Sequence, residues 1–218
     1  MSYILHLETA TKICSVALSF TGKIKQIKEL TEEGYSHGEN LTLFIEDVLQ
    51  SEKITVKDLA AVSLSSGPGS YTGLRIGVSV AKGLCYSLKI PIIAIDSLTC
   101  IYELAKEKYT NKIIIPIIDA RRMEVFSVIF SSKGEILKPI SADIIDEETY
   151  SNFDDFIVCG DGAEKLKSIW KNRNITFDTN ILSSASGQVK LAYQKFLEKE
   201  FEDIAYFEPF YLKDFIAK

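Results

Sequence analysis

A gapless internal repeat constrains the fold of this chain more than any other feature of its sequence. SVALSFTGKI at residues 15–24 and SVIFSSKGEI at residues 127–136 share Ser, Val, Ser, Gly and Ile at matching places. Each copy follows an apolar strand that ends in a carboxylate, Glu8 in the first half and Asp119 in the second. Because similarity at a fixed separation marks repeated structure, the chain is predicted to hold two related halves.

Hydrophobic periodicity predicts a similar order of elements in both halves, including a strand, a Gly-x-Gly turn and a helix. In the first half, the predicted elements are strands at 3–8, 13–20, 24–30, 60–66 and 91–95 and helices at 39–50, about 72–88 and 97–108. In the second half, they are a strand at 112–119, two strands within 124–138, a strand, glycine turn and helix within 156–166, and a helix at 185–200.

The two halves together have the element order of the duplicated actin-like ATPase fold (ASKHA or RNase H-like). We therefore expect an α/β protein of two related lobes with central mixed sheets. The N-terminal lobe is predicted at residues 1–105 and the C-terminal lobe at residues 106–218. A chain of 218 residues with 46% apolar content is long enough to bury the core that this plan needs.

Composition and charge exclude several classes of function. The net charge is −5 and the basic residues are scattered, which argues against strong nucleic-acid binding by this chain alone. No apolar run approaches the roughly 20 residues of a membrane helix, and the N-terminus has no signal-peptide pattern. The four cysteines are well separated in apolar surroundings, so buried free thiols are expected. We expect a cytoplasmic protein.

Each predicted lobe begins with a hairpin that can hold a nucleotide phosphate in an actin-like fold. The first hairpin reads Glu8-Thr9-Ala10-Thr11-Lys12, and the second covers residues 119–123, DARRM. Such a site needs a carboxylate for metal-bound water and glycines that let the backbone approach the phosphates. Both hairpins keep a carboxylate and neither has a glycine. We interpret Glu8, Thr9 and Asp119 as degenerate phosphate-loop positions.

The most specific motif is GPGSYTGLRIG, from Gly67 to Gly77. It lacks the lysine of a P-loop, and its third glycine falls one place late for a dinucleotide-binding fingerprint. Thr72 can cap a helix on which Gly73, Gly77 and Ala81 are four residues apart, so one helix face is nearly bare. Because a helical glycine costs about 1 kcal/mol relative to alanine, another backbone is expected to approach this face. Spacing favours equally a contact within the lobe and one with another subunit.

Metal and hydrolase sites are poorly supported. The two histidines, His6 and His37, are too far apart in sequence for an HxxxH or HExxH zinc motif. His6 lies in a predicted buried strand and is interpreted as a core residue, and His37 as a cap or contact residue. The serines around the glycine turn lack a GxSxG motif and evident triad partners, so they are interpreted as turn and strand residues.

The chain resembles the TsaB (YeaZ) family of bacterial proteins for tRNA threonylcarbamoyladenosine (t6A) biosynthesis. The resemblance covers most of the chain, from ILHLETATKICSVAL near the start through SHGENL to PFYLK at 209–213. GPGSYTGLRIG with AKGL after it is the most specific piece, and DARRMEVF at 119–126 and GDGA at 160–163 follow. Glu8 stands where the family usually has aspartate, which further weakens a phosphate site.

This resemblance implies a non-catalytic partner subunit. Members of the family bind and activate TsaD, the catalytic subunit, whose HxxxH metal site this sequence lacks. TsaE, an ATPase, joins the complex, which transfers a threonylcarbamoyl group from its adenylate to adenosine 37 of tRNAs that read ANN codons. No cofactor is expected on this chain alone, whereas ATP and a metal ion are expected in the partner subunits. The complex as a whole brings tRNA to the chain indirectly.

The family binds TsaD through helices of the N-terminal lobe and can also self-associate there, which leaves a homodimer open. The implied interface residues are Gly73, Arg75, Ile76, Gly77, Val80, Ala81, His37, Leu41, Phe44 and Ile45. The sequence does not decide which of Leu41, Phe44 and Ile45 lie in the core and which lie at the interface. Arg75 opposes the helix dipole, so an acidic partner is expected for it. An actin-like ATPase and a glycoprotease-like hydrolase stay open as alternative functions.

Overall fold

The computed structural model describes residues 2–31 and 37–213. The strands are β1 Tyr3–Glu8, β2 Ile13–Phe20, β3 Lys23–Thr31, β4 Leu59–Ser65, β5 Ile92–Ile95, β6 Ile113–Asp119, β7 Glu124–Phe130, β8 Ile136–Ile144, β9 Phe156–Cys159 and β10 Ile175–Asp178. The helices are α1 His37–Ser51, α2 Tyr71–Leu88, α3 Ser97–Lys108, α4 Ala163–Leu166 and α5 Val189–Glu198, with short 3₁₀ turns at Val56–Asp58 and Ala185–Gln188. None of the helices in these ranges combines the length and the apolar character needed to cross a membrane.

Two five-stranded sheets of the same topology form the molecule. The first sheet has the order β3-β2-β1-β4-β5, and the second, read from its other end, has the order β8-β7-β6-β9-β10. In each sheet the first three strands are antiparallel, and the other two lie parallel to the first strand of the half. The predicted duplicated α/β plan with mixed sheets is therefore confirmed.

The sequence repeat corresponds to a repeated polar contact. Ser15 on β2 donates its hydroxyl hydrogen to Glu29 on β3 over 2.8 Å, and Ser127 on β7 donates to Asp143 on β8 over 2.6 Å. Both serines are fully buried, where a hydroxyl group needs a partner. The equivalent serines thus hold the equivalent third strands in each lobe.

The two halves differ in the segment between their third and fourth strands. Between β8 and β9 the described chain forms turns instead of a helix like α1. Trp170 lies in the core of the second lobe and is 1% exposed, with its ring beside those of Tyr150 and Phe156. The short strand β10 was not predicted, because four residues carry too little pattern to identify. The predicted helix at 185–200 divides into a 3₁₀ turn and α5.

The two lobes exchange their last helices. Helix α3 leaves the first half and packs on the second sheet, with these buried residues in one cluster: Leu98, Ile101, Ala105, Ile114, Ile118, Phe126 and Val128. Helix α5 returns from the second half to the first sheet, where the cluster contains Ile4, Ala61, Ile93, Ile95 and Ala192. The proposed division at residues 105 and 106 separates the two sheets but falls inside α3.

A buried glutamine joins the lobes at the 3₁₀ turn before α5. Gln188 is fully buried; its Nε2 donates to Leu7 O over 2.8 Å, and its Oε1 accepts from Ser63 Oγ over 2.7 Å. The same Nε2 lies 3.2 Å from Ser65 Oγ. A residue of the second half thereby forms hydrogen bonds with buried polar groups of β1 and β4.

The C-terminal strap, residues 200–213, also crosses from one lobe to the other. Phe210 N–H donates to Ser66 O over 2.7 Å, so the strap lies against the glycine-rich turn of the first lobe. Lys213 then forms an ion pair with Glu124 on β7 of the second lobe. The lobes are thus joined by the strap as well as by α3 and α5.

The glycine-rich turn and α2 pack closely on the first hairpin. Ser70 N–H donates to Ala10 O over 2.6 Å, and a Cβ on Gly69 would overlap that same carbonyl group. A Cβ on Gly77 would lie 2.5 Å from Thr9 Oγ1. The N-cap of α2 is Ser70, whose Oγ accepts from Gly73 N, so the predicted capping by Thr72 is wrong; the helix begins one residue earlier than expected. Helix α3 is capped by Asp96, whose side chain accepts from Thr99 N.

The lobe contact through Gln188 gives a first prediction. Replacing Gln188→Ala leaves Leu7 O and the Ser63 hydroxyl without partners in the interior, which should lower the free energy of unfolding by about 2–3 kcal/mol. Gln194→Ala on α5 is the matched control, since Gln194 is exposed and bonds only Glu198. Urea unfolding measures both. Equal losses for the two variants would contradict this role of Gln188.

The contact of Gly77 with Thr9 gives a second prediction. Gly77→Leu forces a side chain into a filled interior and should destabilise the fold by about 2 kcal/mol or more. Gly83→Leu on the same helix is the control, because no heavy atom lies within 4 Å of a Cβ placed on Gly83. Leucine there gains helix propensity, so the melting temperature should rise. A Gly77→Leu protein as stable as wild type would show that the hairpin contact is loose.

Candidate functional site

The first hairpin is closed to ligands in the described structure. Glu8 is fully buried and Thr9 is 2% exposed. Glu8 Oε1 accepts from Ala10 N over 2.7 Å, and its Oε2 accepts from the Ser65 hydroxyl group. Burial raises the pKa of the Glu8 carboxyl group, with a smaller contribution from the charge of Asp161. The carboxylate is therefore engaged inside its own lobe.

The second hairpin is held by a lysine. Asp119 pairs with Lys165, which follows the second glycine turn, and Asp119 N–H donates to Asp161 Oδ1 over 3.0 Å. Burial raises the pKa of Asp161 to about 6, and the neighbouring charge of Asp119 acts in the same direction. A Cβ on Gly162 would lie 2.6 Å from Ile117 Cγ2, so this glycine turn is also filled by its own first strand. The carboxylate of the first hairpin is therefore enclosed, whereas that of the second is exposed and paired with a lysine.

Two cavities of the described structure lie away from these hairpins. One of about 360 Å³ is lined by residues of the β2–β3 turn, α3 and the start of α5. Another of about 370 Å³ lies beside β5 and α5. Glu8, Thr9 and Asp119 line neither of these two cavities.

The histidine and the serines described in the structure lie in structural surroundings. Within residues 2–31 and 37–213, no three His, Cys, Asp or Glu side chains are grouped as metal ligands. His6 is fully buried; its Nε2 lies 2.8 Å from Ser19 Oγ, and burial lowers its pKa to about 3. Ser63 and Ser65 bond Gln188 and Glu8 in the interior, and Ser70 caps α2. These serines have structural roles.

Five of the ten predicted interface residues are buried within their own lobe. Gly73, Gly77 and Ala81 face the interior of their own lobe, which is the first of the two arrangements that spacing left open. Leu41 and Ile45 are 1% and 7% exposed and belong to the core between α1, α2 and the first sheet. The physical reason is that the bare side of α2 is the side that the hairpin residue Thr9 approaches.

The other predicted interface residues lie at or near the surface. Arg75 is exposed, while Ile76, Val80 and Phe44 are partly buried against the edge of the core. Arg75 Nε donates to Tyr211 Oη over 3.3 Å, and the guanidinium lies 4.1 Å from the ring centre of Tyr71. The nearest contacts of Arg75 are thus two tyrosines of the turn and strap. The hydrogen bond with Tyr211 raises the pKa of Arg75 most, and the charge of the expected acidic neighbour, Glu208 on the strap, adds a smaller contribution. The side chain of His37, at the first position of α1, lies outside the described part.

Three outward-facing residues of the same two helices were not among the predicted interface residues. Leu43 on α1 is 56% exposed and Tyr86 on α2 is 79% exposed. Gly83 on α2 is also exposed, with open space where a Cβ would point. With Phe44, Ile76 and Val80 they form what we call the α1/α2 face. Helical spacing could have identified it, because Ile76, Gly83 and Tyr86 lie opposite the buried positions of α2.

The buried carboxyl group of Asp161 gives a pH prediction. Its pKa of about 6 in the folded protein exceeds the ordinary value of 3.8. The folded state therefore binds the proton more tightly, and this group's contribution to stability is lost as pH rises from about 4 through 6. Asp161→Asn should match wild type near pH 4 and exceed it by about 2 kcal/mol at pH 7.5.

Unfolding by urea at several pH values measures this difference. The control is Asp154→Asn, since Asp154 is exposed in the turn before β9. A stability difference between the Asp161→Asn variant and wild type that does not change with pH would contradict the assignment.

The sequence matches a family model described as TsaD, tRNA N6-adenosine threonylcarbamoyltransferase, over residues 29–217. The protein from Haemophilus influenzae named tRNA threonylcarbamoyladenosine biosynthesis protein TsaB is 29% identical, and the alignment covers 97% of this chain and 93% of that protein. The protein of the same name from Escherichia coli is 27% identical, with 98% and 96% covered.

A solved structure agrees with these sequence matches. YeaZ from Pseudomonas aeruginosa superimposes with a TM-score of 0.81 at 25% identity, over 97% of this chain and 100% of that chain. The fold is the duplicated actin-like fold that the repeat and strand order indicate. The chain belongs to the TsaB (YeaZ) family, within the wider family that the TsaD model describes.

Proposed function

We propose that this chain takes part in the biosynthesis of tRNA threonylcarbamoyladenosine as a non-catalytic subunit. Its role is to bind a TsaD-like catalytic subunit through the α1/α2 face and to activate it for modification of adenosine 37 in tRNAs that read ANN codons. The observation that carries the proposal is Gly83, an exposed glycine of α2 beside which no other described element lies within 4 Å of the position of a Cβ.

An exposed glycine inside a helix is costly unless something outside the chain uses it. Relative to alanine it costs about 1 kcal/mol. The carbonyl group of Gly83 accepts from Ser87 Oγ over 2.7 Å, but no described side chain or neighbouring element packs where a Cβ of residue 83 would point. Its neighbours on the α1/α2 face are apolar or aromatic, and Tyr86 and Leu43 are largely exposed. A second helix can approach the backbone at Gly83 closely while its side chains contact Tyr86, a residue type enriched in interface hot spots.

The hairpins support a partner role for this chain rather than a catalytic one. Glu8 and Thr9 are enclosed by α2, and Asp119 is engaged by Lys165. We therefore assign ATP and a catalytic metal ion to the partner subunits, a TsaD-like subunit and a TsaE-like ATPase, and a cytoplasmic location to the complex. The α1/α2 face also suits a second copy of this chain, so a free homodimer would occupy the surface that the TsaD-like subunit needs.

An actin-like ATPase and a glycoprotease-like hydrolase are the alternative functions. An ATPase would need an opening beside Glu8, where the described structure is filled by the backbone of residues 67–70. A hydrolase would need an accessible nucleophile, whereas Ser63 and Ser65 are buried and bonded. Turnover of ATP with Mg²⁺, or of casein, by the isolated chain would favour these alternatives over a subunit role.

Substitution of Gly83 tests the surface. Gly83→Trp should weaken binding of a TsaD-like subunit by 100-fold or more, about 2.7 kcal/mol, because the indole ring keeps the partner helix away. Gly83→Ala should raise the melting temperature by about 2–4 °C through helix propensity. Affinity is measured by calorimetry or by co-purification of tagged and untagged subunits.

The matched control is Leu197→Trp, which places the same bulk on α5 at a position that is 63% exposed. It should leave binding unchanged. Wild-type affinity in the Gly83→Trp variant would remove the α1/α2 face from the proposal, and failure of wild type to bind any TsaD-like subunit would remove the subunit role itself.

A further inference from the structure

The tip of the β6–β7 hairpin places two consecutive arginines in a left-handed backbone conformation. Arg121 has φ 69° and Arg122 has φ 50°, and both are exposed. Glycine adopts these angles without a steric cost, and asparagine does so more readily than other residues. Arginine at such a position carries a cost in backbone strain. Because both side chains are exposed, burial of apolar surface does not offset this cost.

The rest of the hairpin holds this conformation in place. Lys165 Nζ donates to Arg122 O over 3.0 Å and to Glu124 O over 2.6 Å, and it pairs with Asp119. Asp119 Oδ1 accepts from Arg121 N over 2.9 Å. The backbone of the tip is therefore fixed from the inside by one lysine and one carboxylate, and the two guanidinium groups extend outward from it.

The carboxylates near the tip are already neutralised by other cations. Asp119 pairs with Lys165, and Glu124 pairs with Lys213 of the C-terminal strap. No ion pair within residues 2–31 and 37–213 involves Arg121 or Arg122. The tip is thus locally cationic although the chain as a whole carries a net charge of −5.

A further cation, Lys12, offsets the charge of the remaining carboxylate of this region, Asp161. Lys12 lies at the tip of the equivalent first hairpin, is exposed, and is close enough to Asp161 to lower that carboxyl group's pKa. Asp161 in turn accepts from the backbone of Asp119. The tips of the two hairpins therefore lie on the same side of the molecule, where the two lobes meet.

We propose that the β6–β7 hairpin tip, through Arg121 and Arg122, binds the phosphate backbone of the tRNA substrate directly within the complex. Guanidinium groups bind phosphates with paired hydrogen bonds and stay charged at all physiological pH values. Phosphate contacts position a nucleic acid without reading its sequence, which suits a subunit shared by several tRNAs. The inference rests on the proposed function, and it assigns to this chain a direct contact that net charge alone argued against.

The strain and the charge can be tested with one variant. Arg121→Asn with Arg122→Gly relieves the left-handed backbone, so the melting temperature should rise by about 2–4 °C. The same variant should lower the affinity of the reconstituted complex for an unmodified tRNA transcript by about tenfold. It should also make the dependence of log K on log salt less steep by about 2. Binding is measured by filter retention or anisotropy over a salt series.

Two control variants separate charge from fold. Arg121→Lys with Arg122→Lys keeps the charge and should keep most of the affinity and the whole salt slope. Lys53→Gln with Lys57→Gln removes the same charge from exposed positions before β4, and should leave tRNA binding unchanged. All variants should still bind the TsaD-like subunit as wild type does, because the hairpin is separate from the α1/α2 face.

Unchanged affinity and salt slope in a complex that assembles normally would overturn the hairpin assignment and leave the subunit role intact. Equal losses for the Lys53 and Lys57 control would also overturn it, because the effect would then be one of net charge. If wild type binds no TsaD-like subunit, the subunit role fails. The hairpin is then measured on the isolated chain at low ionic strength, where equal tRNA affinity of wild type and the Asn-Gly variant overturns the assignment.

Discussion

The close contact between the first hairpin and the amino end of α2 is the constraint on which the rest of the structure depends. Ser70 N–H donates to Ala10 O over 2.6 Å, and Gly69 and Gly77 allow the helix to lie directly against the hairpin. In an actin-like fold this hairpin is where phosphates would approach. Because α2 occupies that space, Glu8 becomes an internal hydrogen-bond acceptor, and the lobe presents the outer side of its helices instead of an open cleft.

Three connections keep the two lobes in a fixed relation. The last helix of each half packs on the sheet of the other, Gln188 inserts its amide between the lobes, and the C-terminal strap binds Ser66 in one lobe and pairs Lys213 with Glu124 in the other. A nucleotide-driven opening of the cleft would have to break buried hydrogen bonds of Gln188 that have no replacement in the interior. This arrangement is better suited to a rigid surface for a partner than to a cycle of opening and closing.

The spacing of the glycines on α2 predicted a close contact but not which side of the helix is buried. The pattern indicated correctly that another part of the chain approaches the helix closely at Gly77, but the approaching group is the side chain of Thr9 and not a backbone. Helical spacing fixes which residues share a face, whereas the rotation of the helix on the sheet decides which face is inside. The hairpin takes the side with Gly73, Gly77 and Ala81, and Gly83 is left outside, where its cost has no internal explanation.

The sequence by itself determined the duplication, the limits of most helices and strands, the mixed sheets and the family, because these follow from local pattern and from motifs such as GPGSYTGLRIG. Only the tertiary structure decided the exchange of α3 and α5, the closure of the hairpin around Glu8 and the tyrosine contacts of Arg75. It alone showed that Arg121 and Arg122 extend from a strained turn. These features depend on contacts between residues distant in the chain, and no local pattern records which distant backbone comes close.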